Sequence, residues 1–175
     1  MRRLQISVAA AFVALALTAG SALGAVNVKS YPTASFSGDT VTLTGGNFSG
    51  LGSVPAIATF QATAGVATYT CTNPQGHASP GQNPVPAQPG PTSTQDLGNA
   101  DHNGRGTISN LSASVLAPPT PSAQEVGCGG KGSTQWTVVL NTLTATAAHL
   151  EITQNGTIVF CRNYTIDGPA IGTAC

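Results

Sequence analysis

Charged side chains are scarce in this sequence. Only 7% of its 175 residues are Asp, Glu, Lys or Arg, and the formal net charge at neutral pH is zero. Proteins that bind nucleic acid neutralise phosphates with clustered Lys and Arg, and no such cluster occurs here. The composition therefore argues against a nucleic-acid partner, and Thr, Ser, Asn and Gln must supply most of the polar surface.

Helical periodicity is also missing after the apolar run near the N-terminus. Apolar residues instead alternate with a period of two, as in DTVTLTGG and QWTVVL, and Gly or Pro interrupts these runs. This alternation, with many β-branched residues, is typical of antiparallel sheets. We therefore predict an all-β protein, an immunoglobulin-like antiparallel β-sandwich with Greek-key connections and about seven to nine strands.

The expected strands follow from the same alternation and from the positions of the turn residues. The segment from 72 to 103 is rich in Pro and Gly and is interpreted as a long connection that can include short edge strands near 84–88 and 92–97. The predicted strands lie near 26–35, 38–45, 55–62, 66–72, 105–116, 134–141, 143–154 and 157–166.

Motifs for catalysis and for metal binding are absent from the sequence as well. No Gly-x-Ser-x-Gly nucleophile motif occurs, and the carboxylates are too scattered to single out a pair for glycoside hydrolysis. No Cys-x-x-Cys or His-x-x-x-His spacing indicates zinc. We therefore expect no catalytic, cofactor-binding or metal-binding residues, and we favour a protein that is not an enzyme.

The first 24 residues have the composition of a secretory signal peptide. Arg2 and Arg3 precede an apolar run that is too short to span a membrane, and small residues follow it. We predict cleavage after Gly24, a single domain over residues 25–175, and a secreted, extracellular protein. That domain would carry four basic and six acidic side chains, a net charge of −2.

The four cysteines, Cys71, Cys128, Cys161 and Cys175, all lie beyond this leader. An even number of cysteines in an exported chain predicts two disulfides. Four cysteines can pair in three ways, and the residues alone leave all three open.

One hairpin is specified by the dipeptide Asn155-Gly156, which lies between two strand-like runs. This dipeptide is the strongest short-range signal for a two-residue hairpin turn. With a regular register, Cys161 is expected beside Leu150 on the core face of the hairpin, and His149 on its solvent face.

Two loops hold side chains that could contact a ligand. His77 lies in TCTNPQGHASPGQNP, where Asn, Pro and Gly have evident roles in turns. Asp101 and His102 lie in NADHNGRGTISN, which matches the first half of a calcium loop but has Asn110 where a bidentate Glu is needed. His77, Asp101 and His102 are therefore ligand-loop candidates, although turn roles explain both loops.

Several segments carry a resemblance to known proteins: GGNFSGLGS at 45–53, CTNPQGHASPGQNP at 71–84, CGGKGSTQWTVVL at 128–140 and QNG at 154–156. With these segments the chain resembles a group of small secreted β-rich proteins of high-GC bacteria, to which no activity is assigned. In that group the first motif commonly reads Gly-Leu-Gly-Asn, whereas Ser53 stands here at the fourth position. A second similarity, of SGDTVTLTGGNFSG to the opening of IPT/TIG immunoglobulin-like domains, bears on the fold alone.

The first resemblance implies a β-rich domain held by disulfides. It favours pairing Cys71 with Cys128, since each lies beside a shared motif. Cys161 is then left to pair with Cys175. The resemblance implies no activity, cofactor or site residue.

These observations favour a secreted, non-enzymatic module that binds a ligand or associates with the cell surface. The alternatives are a small-molecule carrier with a cleft between the sheet and the segment 72–103, a secreted hydrolase, and a surface protein that assembles through its sheet edges. The expected partner is an extracellular ligand or surface, with no nucleic acid, no cofactor and no transmembrane segment.

Overall fold

A computed structural model describes residues 26–51, 54–97, 104–129 and 135–175. The predicted leader at 1–24 lies outside the described residues, as do Asp101 and His102. The described part of the chain forms 13 β-strands and no α-helix, and it therefore contains no helix that could cross a membrane. The strands are β1 (Asn27–Ser30), β2 (Thr33–Ser37), β3 (Thr40–Thr44), β4 (Asn47–Ser49), β5 (Ala56–Thr72), β6 (Ala78–Pro80), β7 (Val85–Pro86), β8 (Ser93–Asp96), β9 (Gly106–Thr107), β10 (Leu111–Ser114), β11 (Thr137–Gln154), β12 (Thr157–Thr165) and β13 (Thr173–Ala174).

The strands pair into three antiparallel sheets. Two sheets have three strands each, in the orders β1-β4-β9 and β10-β3-β2, and the largest has the order β13-β12-β11-β5-β6 with β7 and β8 also paired to β5. The all-β prediction is confirmed. The described strands outnumber the predicted seven to nine mainly because many of them are only two to four residues long. Among these, β6, β7 and β8 lie in the segment 72–103 and pair with β5. β7 and β8 fall at the positions predicted for short edge strands.

β5 and β11 are the two long strands of the largest sheet, with 17 and 18 residues. The segments 55–62 and 66–72 were predicted as separate strands, but they belong to the single strand β5. Likewise, 134–141 and 143–154 fall largely within β11. Thr63 and Thr146 are extra residues in the ladder that joins the two strands. Because a β-bulge bends a strand and inverts the alternation of its side chains, the chain continues as one strand with a different buried face.

The bend divides the core into two clusters. On one side of it, Phe60 of β5 and Leu150 of β11 belong to a large cluster to which β3 and β10 also contribute. On the other side, Tyr69 packs in a small cluster around the first disulfide. At the bend a Cβ on Gly65 would lie 2.6 Å from the carbonyl oxygen of Thr144. Only glycine therefore lets the two long strands approach this closely.

Both disulfides have the pairing that the resemblance implied. Cys71 at the end of β5 is bonded to Cys128, with the two Cα atoms 6.2 Å apart, and both residues are buried. Cys161 of β12 is bonded to Cys175, with a Cα separation of 5.7 Å, and Cys175 is exposed. One disulfide therefore lies inside the core and the other at the surface.

The hairpin turn predicted at Asn155-Gly156 is confirmed. The two residues have φ angles of 48° and 72°, the positive pair that a type I′ turn requires. Beyond the turn a β-bulge at Val159 shifts the register. Ile152 pairs with Phe160, whereas a regular hairpin would pair it with Val159. The ladder is therefore displaced by one residue from the regular register.

This displacement overturns the predicted position of Cys161. Leu150 pairs with Arg162, and Glu151 pairs with Cys161. Side chains of directly paired residues share a face of the sheet, so Cys161 lies on the outer face with Glu151. His149 also lies on that face, as predicted. The prediction that Cys161 faces the core beside Leu150 is therefore wrong.

Gln154 at the end of β11 is a buried polar residue, with 3% of its surface exposed. Its side-chain amide donates hydrogen bonds to the backbone carbonyls of Leu51 and Val54, the latter at 2.9 Å. The side chain thereby joins the long strand to both ends of the connection between β4 and β5.

We expect Gln154→Ala to lower the free energy of unfolding by about 2–3 kcal/mol, because it leaves buried carbonyl oxygens without a donor. Chemical denaturation of the two proteins measures this difference. The matched control is Gln124→Ala, since Gln124 is exposed and its replacement should change stability by less than about 0.5 kcal/mol. Equal effects of the two substitutions would contradict the bridging role of Gln154.

Candidate functional site

A pocket of about 360 Å³ lies on the sheet formed by β1, β4 and β9. Its wall comes from all three strands and from the residue that precedes β9. The lining residues are Lys29, Asn47, Phe48, Ser49, Arg105, Gly106 and Thr107.

The central strand β4 anchors this pocket to the core. Phe48 is 1% exposed and pairs with Val28 on one side and with Gly106 on the other. Its ring packs edge-on against Phe160 of the largest sheet, with ring centroids 4.9 Å apart. The floor of the pocket is therefore fixed by the same contacts that hold the sheets together.

The position of Lys29 follows from an irregularity in β1. Val28 pairs with Phe48 and Ser30 with Asn47, so Lys29 is an extra residue in the ladder. Such β-bulges reorient a side chain relative to a regular strand. This local irregularity brings a lysine to the wall of the pocket.

Gly106 brings the opposite wall close to the core. A Cβ at this position would lie 2.7 Å from Cδ1 of Leu51 and 3.2 Å from Cβ of Leu97. Glycine therefore lets β9 pack tightly beside β4, and it places the adjacent Arg105 at the pocket.

The side chain of Asn47 is held across the sheet by hydrogen bonds. Its Nδ2 atom donates to Oγ of Ser30 at 2.8 Å, and its Oδ1 atom accepts a hydrogen bond from Oγ1 of Thr107 at 3.0 Å. The three residues come from β1, β4 and β9, so the polar part of the wall is ordered before any ligand binds.

The described lining residues include two cations, Lys29 and Arg105, which are two of the six Lys and Arg residues of the whole sequence. None of the described lining residues is His, Cys, Asp or Glu. Two cations at one pocket suit the binding of an anion.

His77, a candidate from the sequence, lies exposed in the turn between β5 and β6. Oδ1 of Asn73 accepts hydrogen bonds from the backbone N–H groups of Gln75 and His77, at 3.0 and 2.8 Å. The turn chemistry expected for this segment is therefore present, and His77 is not among the residues that line the pocket. A ligand role for His77 stays a prediction, as it does for Asp101 and His102.

A second polar cluster lies on the outer face of β11 and β12. Nδ1 of His149 is 2.7 Å from Oδ1 of Asn163, and its Nε2 atom is 3.0 Å from Oε1 of Glu151. Partial burial lowers the pKa of His149, but the hydrogen bonds that its ring makes to Glu151 and Asn163 and the charge of Glu151 together raise this pKa above its ordinary value. The imidazole is thus held at both nitrogens.

The sequence contained part of the pattern that forms the cluster around His149, but no pattern that indicates the pocket. Alternation along a strand puts His149 and Glu151 on one face, but Asn163 joins them only because of the bulge in β12. Lys29 and Arg105 are distant in sequence and no local motif links them.

Comparisons of this chain with protein-family models, with curated proteins and with solved structures find no match. The functional interpretation therefore depends on the geometry and chemistry of the described residues.

Proposed function

We propose that this chain is a secreted, non-enzymatic binding module, and that it holds a small anionic molecule in the pocket on β1, β4 and β9. The observation that carries the proposal is the placement of two cations, Lys29 and Arg105, around one pocket of the described structure. In a chain with so few charges, two cations at one concave site are a specific arrangement.

The two cations suit an anionic group for different reasons. A guanidinium such as that of Arg105 presents a planar fork of donors that matches a carboxylate or a phosphate. The ammonium group of Lys29 acts as a compact point charge. Because a partly enclosed site with low-dielectric walls focuses the field of its charges, the attraction exceeds that of the same groups on an open surface.

The uncharged lining residues indicate the chemistry of the ligand beyond its anionic group. Ser49 and Thr107 offer hydroxyl groups, and Asn47 offers an ordered amide. The pocket volume of about 360 Å³ is at the lower end of the range for small-molecule sites. A polyhydroxylated acid the size of a monosaccharide, such as a uronic acid or a sugar phosphate, fits this chemistry.

Export and the finer architecture belong to the same proposal. The leader-like residues 1–24 and the two disulfides support an oxidising, extracellular location. We further propose that the sheet β10-β3-β2 and the largest sheet are the layers of an immunoglobulin-like sandwich, since Val41 and Leu43 share a core cluster with Phe60 and Leu150. The same features support kinship with the small secreted proteins that the sequence resembles.

Titration calorimetry with glucuronate, glucose and inorganic phosphate tests the binding site. We expect glucuronate to bind more tightly than glucose, from which it differs by one carboxylate, and added salt to weaken the binding. Lys29→Gln should weaken glucuronate binding about tenfold, the usual effect of losing one charged hydrogen bond, whereas Lys29→Arg should retain most of the affinity. Phosphate binding shows whether the anionic group alone is sufficient.

His77→Gln is the control variant, because it changes a candidate residue that lies outside the pocket lining. We expect it to leave glucuronate binding unchanged. The proposal is overturned if glucose and glucuronate bind equally, or if His77→Gln abolishes binding while Lys29→Gln does not.

A further inference from the structure

The outer face of the largest sheet holds a group of possible metal ligands away from the pocket. His149 of β11, Cys161 of β12 and Cys175 after β13 form what we call the histidine–cysteine cluster. One ligand atom from each residue, the imidazole nitrogen or Sγ, lies within 4.8 Å of the others. Nδ1 of His149 is 4.0 Å from Sγ of Cys175.

We propose that the histidine–cysteine cluster binds a divalent zinc-like cation when its disulfide is reduced. In the oxidised chain the two sulfur atoms are bonded to each other, so neither is a thiolate and the site is closed. Cys161 and Cys175 can therefore either form the disulfide or bind a metal ion, but they cannot do both at once. This inference does not use the pocket or depend on its ligand.

The atoms of the step balance with a dithiol as reductant. The dithiol gives two electrons and two protons to the sulfur–sulfur bond, which breaks to form two thiols, and the dithiol closes into its own disulfide. A divalent cation then displaces both thiol protons and binds the two thiolates. Exchange with a small-molecule disulfide reverses the step: that disulfide accepts the two electrons and is reduced to a dithiol, the bond between Cys161 and Cys175 forms again, and the cation is released.

The distance from Nδ1 of His149 to Sγ of Cys175 is close to that of a tetrahedral site, and the two sulfur atoms separate when the disulfide is reduced. Zinc lies about 2.3 Å from sulfur and about 2.0–2.1 Å from nitrogen, which separates a nitrogen and a sulfur ligand by about 3.6 Å and two sulfur ligands by about 3.8 Å. The separation of 4.0 Å between Nδ1 and Sγ of Cys175 needs only a small change. Cys175 follows the two-residue strand β13, which pairs only with Arg162 and Asn163, so it can move when the disulfide opens.

Glu151 supplies the partner that a metal-binding histidine usually has. When Nδ1 of His149 binds a cation, Nε2 carries the proton and donates it to Oε1 of Glu151, which is 3.0 Å away. Carboxylates in this position orient the ring and make the ligand more basic. Oδ1 of Asn163, 2.7 Å from Nδ1, lies close enough to complete the coordination, or a water molecule takes that place.

The core disulfide differs from this cluster in that the described residues around it are apolar. Cys71 is fully buried and Cys128 is 3% exposed, and both pack among apolar side chains such as Val126. A reductant in solution therefore reaches Cys161 and Cys175 before it reaches this pair. Partial reduction of the full chain can thus open the histidine–cysteine cluster while the core disulfide stays closed.

The test uses the full chain, reduced briefly with dithiothreitol, separated from it without oxygen, and titrated with Co²⁺ or Zn²⁺. We expect one cation per chain, thiolate-to-cobalt charge-transfer absorption, and no such absorption from the oxidised chain. His149→Gln and Glu151→Gln should each weaken Co²⁺ binding at least tenfold, and His77→Gln should not weaken it. Cys175→Ser should remove most of the charge-transfer absorption.

Alkylation and peptide mapping of the same sample establish which disulfide opened. The proposal predicts modification of Cys161 and Cys175 with Cys71 and Cys128 protected. It is overturned if the core pair is reduced first, if the reduced chain binds no Co²⁺, or if His149→Gln and His77→Gln bind it equally well.

Discussion

Removing the core disulfide with the double substitution Cys71→Ala and Cys128→Ala should lower the free energy of unfolding by about 4 kcal/mol. The bond closes a loop with a sequence separation of 57, and opening it restores the conformational entropy of that loop to the unfolded chain. Ordinary domains have a total stability of about 5–15 kcal/mol. The variant should therefore be marginally folded or unfolded at physiological temperature.

The matched control removes the outer disulfide with Cys161→Ala and Cys175→Ala. Its sequence separation is 14, for which the same loop-entropy relation gives about 3 kcal/mol. Cys175 is exposed, so its loss leaves no cavity in the core. Denaturant unfolding of both double variants measures the difference, and a larger loss for the outer pair would contradict the structural role assigned to the core pair.

Phe60→Ala should destabilise the protein by about 3–5 kcal/mol, which is typical of truncating a buried phenylalanine. Phe60 is fully buried on β5 and packs edge-on against Tyr164, with ring centroids 6.4 Å apart. The substitution removes apolar contacts in the large cluster that joins the sheets. The remaining cavity cannot close completely because β5 is paired along both of its edges.

Ile57→Ala is the control for this prediction, since it truncates a side chain of the same strand on the other face. Ile57 is 44% exposed, and its loss should cost less than about 1 kcal/mol. Thermal and denaturant unfolding of both variants gives the comparison. Similar losses would show that the large cluster does not carry the stability ascribed to it.

The class of the fold could be predicted because it depends on patterns that are local in the sequence. Alternating residues such as Val41 and Leu43 indicate a strand with one buried face, and both are fully buried. The dipeptide Asn155-Gly156 fixes a turn by its own φ preferences. The disulfide pairing came from a resemblance, since no local pattern selects it.

The register could not be predicted, because a single extra residue changes it. Val159 forms a bulge that displaces Cys161 to the outer face. Thr63 forms a bulge beside the break predicted in β5, and Asn141 forms one beside the break predicted in β11, and the chain continues through both as single strands. Each bulge depends on packing between strands, whereas β-branched residues such as Thr63 and Val159 also fit a regular strand.

A short motif that precedes Cys128 in the sequence also has a structural role. Ser122 and Glu125 have the spacing of a capping box and form its reciprocal hydrogen bonds. The backbone N–H of Ser122 donates to Oε2 of Glu125 at 2.7 Å, and the backbone N–H of Glu125 donates to Oγ of Ser122 at 3.3 Å. The backbone N–H of Ser122, followed by its hydroxyl, holds the pKa of Glu125 below its ordinary value. This turn leads to Cys128, so it positions one half of the core disulfide.

The pocket could not be predicted, because its charged residues come together only through the pairing of three strands. Lys29 is brought there by a bulge, and Arg105 precedes a strand of two residues. The candidates predicted from the sequence were instead residues of loops, such as His77. Clusters of basic residues can be recognised in a sequence only when their members are close along the chain, whereas Lys29 and Arg105 are close only in the folded structure.

The most direct test of the account follows backbone amide resonances of the ¹⁵N-labelled full chain during titration with glucuronate. We expect the largest chemical-shift changes at Lys29, Asn47–Ser49 and Arg105–Thr107, and we expect Lys29→Gln to reduce these changes at equal ligand concentration. Shifts centred on the turn at His77, or no saturable shifts at millimolar glucuronate, would contradict the claim that the pocket of β1, β4 and β9 binds an anion.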